Sequence, residues 1–129
     1  SKDTGALVVE GGLGVEGSIH AGNDIIAFSS SDATLKKDIT PIENALEMIN
    51  KISGNTFTWN TGIQHLIPYE NGTKDTGILA QEVEALGLPG VTTTRGDGVK
   101  AVRYERLIPV LIEAVKELTA KVKSLESNK

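Results

Sequence analysis

The sequence contains no cysteine, which excludes disulfides and thiolate-based zinc sites. Aromatic residues are scarce, with two Phe, two Tyr and one Trp making 4% of 129 positions. A small domain with so few large rings buries a modest core, so partner subunits are expected to supply part of the burial. The two histidines, His20 and His65, are far apart in unlike contexts, and neither a metal nor a cofactor is expected. No apolar run approaches the roughly 20 residues of a membrane span, and no signal-peptide pattern stands at Ser1. Thirteen basic against seventeen acidic side chains leave a net charge of −4. With the Lys36-Lys37 pair as the main basic cluster, this balance argues against a nucleic-acid or anionic-membrane partner. GxGxxG, P-loop and HExxH motifs are all missing, so the chemistries they carry have no foothold.

What is present first is glycine. Residues 1–27 include TGALVVEGGLGVEGSIHAGNDIIA, where apolar pieces at 7–9, 13–15, 19 and 25–26 alternate with Gly11, Gly12, Gly14, Gly17 and Gly22. The pattern predicts short strands separated by Gly or Asn turns. One chain alone buries such strands poorly, whereas stacked or intertwined copies bury them well, as in β-helices and repeat-built fibres. The competing reading is a flexible Gly-rich linker, disfavoured by the β-branched content. The chain begins inside this pattern, as a piece of a longer protein would.

Residues 28–39, FSSSDATLKKDI, form a polar junction. A helix is expected over 40–52, with Thr40 as N-cap, Pro41 at the first helical position and Glu43 closing a capping box. Its apolar positions Ile42, Ala45, Leu46 and Ile49, with Ile52 at the end, are expected to pack on a small sheet, and Gly54 to stop it. Residues 56–59 alternate, placing Phe57 and Trp59 on one face of a strand. Residues 60–75 read as a long exposed loop, 77–80 as a short buried strand, and 81–86 as a short helix ended by Gly87 and Pro89. Residues 91–94 and 99–102 are expected to form a hairpin through Arg95-Gly96-Asp97-Gly98. Turn chemistry accounts for this Arg-Gly-Asp triplet without an adhesive role.

The last segment is the most regular. Ile108, Leu111, Val115, Leu118, Val122 and Leu125 are spaced 3-4-3-4-3, an a/d heptad seam on a helix expected over 105–127. An amphipathic helix lying on its own domain would also show a stripe, but this one is narrow and runs to the chain end, which favours a self-associating bundle. β-branched a positions with Leu at d lean towards two strands in isolated coiled coils, so three strands need support from elsewhere, such as the N-terminal segment. Pro109 belongs in the first turn, where its missing donor costs little.

Chemistry has one foothold, the Ser29-Ser30-Ser31-Asp32 run with Lys36 five residues after Ser31. A Ser–Lys pair is an alternative to the His-based triad. The lysine acts as base only when uncharged, which burial promotes. Neutral Lys36 then accepts the Ser31 proton as the hydroxyl attacks a carbonyl. By spacing alone such a pair is ordinary and equally describes a solvated linker.

Motif order is more specific. Ser31-Asp32, Leu35-Lys36, the capped helix at 40–52, Phe57-x-Trp59, GILAQEVEALGLP at 77–89, and Val102-Arg103-Tyr104 leading into LIPVLIEAVKEL at 107–118 together resemble the intramolecular chaperone domain of peptidase family S74. That domain ends phage endosialidase tailspikes, tail fibres and neck appendages. The resemblance spans roughly residues 31–125, and residues 1–27 resemble the end of a phage fibre β-helix. It implies an α+β protein, with residues 1–30 as the end of a triple β-helix-like stalk and 31–129 as the chaperone domain, a small mixed α/β body with a long C-terminal helix in a trimeric bundle. It further implies a homotrimer whose folding client is its own upstream fibre, assembled in the host cytoplasm. Ser31 would be the nucleophile and Lys36 the base of a single self-cleavage, cutting at Ser30–Ser31 or Ser31–Asp32 and releasing the domain from the mature fibre on the virion. Asp32 would orient the dyad or the strand. The alternatives are a non-cleaving trimerisation tip and a receptor-binding tip using the 60–75 loop and the Arg-Gly-Asp turn.

Overall fold

The computed structural model describes residues 4–128, so the first three positions of the predicted stalk lie outside the described residues. The chain divides into two units, Ser1–Leu35 and Lys36–Lys129.

In the first unit, residues 4–30 form bends and extended chain without a helix or a strand ladder. The expected short strands are therefore unpaired in a single chain. Their apolar side chains stand in solvent, from Val8 at 43% exposed to Ile26 at 84%. With Gly at every few positions, backbone entropy outweighs what these short pieces bury within one chain. The unit closes on a 3-10 turn, Ala33–Leu35.

The second unit is a small mixed α/β body. A short helix α1 (Ala45–Ile49) leads to an antiparallel pair β1 (Asn55–Thr58) and β2 (Lys74–Gly77). Helix α2 (Ala80–Glu84) follows, then the hairpin β3 (Thr92–Thr94) and β4 (Lys100–Val102). A 3-10 turn, Tyr104–Leu107, feeds the long helix α3 (Ile108–Ser127). The sheets are two separate two-stranded ladders. The core is aliphatic and small: Ala45, Val83, Val91, Leu107, Val110 and Ala114. Val83 and Val110 are its largest fully buried side chains, each contributing about 1.5–3 kcal/mol on transfer from water.

Several sequence expectations are met. Phe57 and Trp59 share the half-buried face beside exposed Thr56 and Thr58. The 91–102 hairpin forms, its turn closed by Arg95 N–H to Val99 C=O at 2.8 Å and by Gly98 at φ +87°. Gly87 ends the α2 region at φ +72°, and Pro109 sits in the first turn of α3.

Others are corrected. The helix predicted over 40–52 is only Ala45–Ile49. The Thr40 hydroxyl donates to the Asp38 carbonyl at 3.3 Å instead of capping. Asp38 and Asn44 both take left-handed backbone, φ 55° and 56°, which short polar residues tolerate and which interrupts helix propagation. The apolar face of α1 packs mainly on α3, not on a sheet. The strand expected at 77–80 is displaced to Lys74–Gly77, shortening the 60–75 loop. The C-terminal helix starts at Ile108, because residues 104–107 take the tighter 3-10 form.

Gly77 is buried, and the Tyr104 hydroxyl accepts the Ile78 N–H beside it at 3.1 Å. A Cβ at residue 77 would stand 2.5 Å from that hydroxyl and 3.4 Å from the Phe57 ring. Gly77→Ala is therefore expected to destabilise by about 1–3 kcal/mol, read as a lower denaturant midpoint. Tyr104→Phe is expected to cost about 1 kcal/mol through the lost acceptor, and an unchanged midpoint in both variants would refute this contact.

Candidate functional site

The polar junction is organised by Asp32. Its Oδ1 accepts the Thr34 backbone N–H at 2.9 Å and the Thr34 hydroxyl at 2.8 Å. Its carbonyl accepts the Leu35 N–H at 3.0 Å. This is an Asx-type cap on the 3-10 turn, built from an Asp-x-Thr sequence whose short side chains reach back to nearby amides. The Thr34 amide first, and its hydroxyl second, hold the Asp32 carboxyl below its usual 3.8. Ser30 and Ser31 precede the turn and are exposed; Lys36 follows it and is exposed. Ser31 lies in the first unit and Lys36 opens the second.

Helix α3 presents two different faces. Val110 and Ala114 are buried against the body, and Glu117, one turn further on, is half-buried. Its Oε2 accepts the Leu46 backbone N–H at 2.8 Å, so the first turn of α1 is capped from a helix 71 residues away in sequence. Asn44, the local N-cap, makes no side-chain cap bond. The six seam residues lie elsewhere on α3: Ile108, Leu111, Val115, Leu118, Val122 and Leu125 are each at least 45% exposed. In heptad terms the body takes c and g positions and the a/d stripe stays open.

The 60–73 connection is a structured loop. Trp59 stacks on Tyr69 with centroids 4.8 Å apart at 15°, and meets Phe57 edge-on at 5.0 Å. The Trp59 indole N–H donates to Asp75 Oδ2 at 3.2 Å, and Asn71 accepts from the Gly62 amide and the Gln64 side chain. In the Arg-Gly-Asp turn, Arg95 donates to the Leu66 carbonyl at 3.4 Å, and Asp97 accepts the Val99 amide at 2.9 Å. Both charged members of the triplet are thus engaged in local structure. The described residues hold no group of three or more metal-capable side chains and no helix long and apolar enough to cross a membrane.

The sequence reading missed the Asp32 cap, whose signal is the short-range Asp-x-Thr pattern. It also missed the Glu117 cap, since nothing local links position 117 to position 46. Its only signal was an acidic residue on the face of α3 next to the stripe.

Residues 31–93 match the family model Peptidase_S74, chaperone of endosialidase, and the family resemblance carried by the motifs is thereby shown. Relatives are long tail fiber proteins Gp37. That of Enterobacteria phage K3 is 35% identical over 78% of this chain and 8% of its own length. That of Escherichia phage AR1 is 32% identical over 88% of this chain and 11% of its own length. That of Salmonella phage S16 is 36% identical over 57% of this chain and 10% of its own length. The chain thus spans about a tenth of the relatives it matches.

The depressed Asp32 carboxyl fixes the sign of a pH effect. The cap is fully formed above 3.8 and is lost as pH falls through the lower folded value. In an NMR titration the Thr34 amide is expected to move upfield with a midpoint below 3.8; a midpoint at or above that value would contradict the cap.

Proposed function

We propose, from the chaperone-of-endosialidase segment at residues 31–93, that this chain is the assembly domain of a phage tail fibre that trimerises, aligns the fibre upstream of it, and then cuts itself off at Ser31. The observation that carries the reading is where the family match starts: at Ser31, inside the polar junction that follows the Gly-rich segment. The tail-fibre relatives support the client. The exposed a/d stripe supports the assembly state, and residues 4–30, which form no ladder within one chain, supply a segment that needs partners to fold.

The physical case for such a domain is entropic. An intertwined fibre has few local contacts, so three chains must be held in register before any fibre contact rewards them. A joined body raises the effective concentration of the fibre strands. Removing it afterwards deletes the aligning element, and the fibre becomes stable kinetically. Assembly takes place in the host cytoplasm, and the mature fibre stays on the virion without the released domain.

The cleavage is a single turnover of Ser31 and Lys36. Lys36 is exposed in the single chain, so the step requires its burial in the assembled form, where an uncharged Nζ takes the Ser31 Oγ proton as the oxygen attacks the scissile carbonyl carbon. The proton passes to the leaving amine as the peptide C–N bond breaks, and water hydrolyses the resulting ester. Attack on the Ser30 carbonyl is an N-to-O acyl shift within reach of the Ser31 hydroxyl. Cutting Ser31–Asp32 requires the nucleophile to be placed differently, and terminal sequencing separates the two bonds.

The test expresses this chain with its upstream fibre sequence. The parent is expected to release a fragment of about three-quarters of this chain, starting at residue 31 or 32. Ser31→Ala and Lys36→Ala are each expected to leave full-length trimer, read by intact mass. A parent that is never shortened would establish a non-cleaving trimerisation tip, and virions that retain the domain would favour a receptor-binding tip.

A further inference from the structure

We propose that Glu117 is a positioning residue for self-cleavage, tying the segment that carries Lys36 to the bundle helix; this rests on the Ser31–Lys36 reading. Helix α1 is five residues long, too short to hold its own start. Its flanking Asn44 is left-handed and makes no side-chain cap bond. The Leu46 amide is instead held by Glu117 of α3 at 2.8 Å in a half-buried setting. A charge-assisted bond of this kind is about twice as strong as a neutral one.

Residues 36–44 run from Lys36 directly into this anchored turn. Two left-handed residues, Asp38 and Asn44, set their course, with Thr40 tied back to Asp38. The end of the segment is thus fixed by a carboxylate on α3. On the same helix, Val115 and Leu118 stand on the open stripe on either side of Glu117 in sequence. The Glu117 bond, made within one chain, joins the helix that carries the open stripe to α1 and to the segment behind Lys36, so the stripe and that segment share one support.

The fibre chain carrying this sequence is made as wild type, Glu117→Ala, Glu117→Gln and Glu113→Ala. Glu113 serves as control because its carboxylate pairs with Lys116 on its own helix at 3.3 Å. Three quantities are read: Leu46 amide exchange, assembled mass and release rate. Glu117→Ala is expected to assemble, to exchange the Leu46 amide faster and to cleave about tenfold more slowly, the loss of one hydrogen bond to a charged group. Glu117→Gln keeps an acceptor and is expected to fall about midway on a logarithmic rate scale, and Glu113→Ala to match wild type. A Glu117→Ala chain that cleaves at the wild-type rate overturns the proposal, as does equal slowing by Glu113→Ala. Should Glu117→Ala fail to assemble, Glu117→Gln decides: an assembled chain slower than wild type supports the coupling, and equal rates refute it. A Ser31→Ala chain that still cleaves would overturn the dyad itself, independently of the Leu46 exchange.

Discussion

Helix α3 is held to its domain through Val110, Ala114 and Glu117, spaced four and three residues apart on one face. Val110 and Ala114 close the core against Ala45, and Glu117 caps the turn that Ala45 begins. Apolar burial and one charge-assisted hydrogen bond thus act on the same short helix. Neither α1 nor the residues leading into it would keep a fixed place without that contact, because five residues make too few internal bonds to overcome nucleation. The core is small enough that each of these positions matters: its largest fully buried side chains are two valines.

Using one face of α3 inward leaves the heptad stripe outward. The two roles do not compete, since c and g positions serve the body while a and d positions stay available. The first unit has the complementary property. Its apolar pieces are too short and too Gly-separated to bury one another within one chain. Under the proposed function, a domain with a finished body and an open helix face, preceded by such a segment, suits the role of aligning fibre chains.

Long-period patterns were legible in the sequence and tertiary substitutions were not. The 3-4-3-4-3 spacing gave α3 and its stripe, and the alternation around Phe57 and Trp59 gave β1 with its half-buried face. The turn residues gave the 91–102 hairpin. The capping box at Thr40 and Glu43 was persuasive and misplaced the helix start, because capping residues also stabilise the non-helical turn that Thr40 makes with Asp38. The true cap is Glu117, whose partner lies 71 residues away, beyond any local rule. The strand expected at 77–80 lies at Lys74–Gly77 instead, because the residues that pair with β1 are the polar Lys74, Asp75 and Thr76, which carry no apolar signal, and α2 already begins at Ala80. Of the candidate site, the order of Ser31, Asp32 and Lys36 was legible, while the Asp32 cap on Thr34 and the tie from α1 to α3 were not.

All of this depends on copies of the chain meeting along the open stripe of α3. The most direct measurement is the mass of the assembly in solution, by light scattering, for the parent and for a chain with Leu111, Val115 and Leu118 changed together to Ser. The account predicts three times the monomer mass for the parent and a monomer with the fold intact for the stripe variant, since those residues face away from the body. A parent that stays monomeric at all accessible concentrations, or a stripe variant that still trimerises, would contradict it.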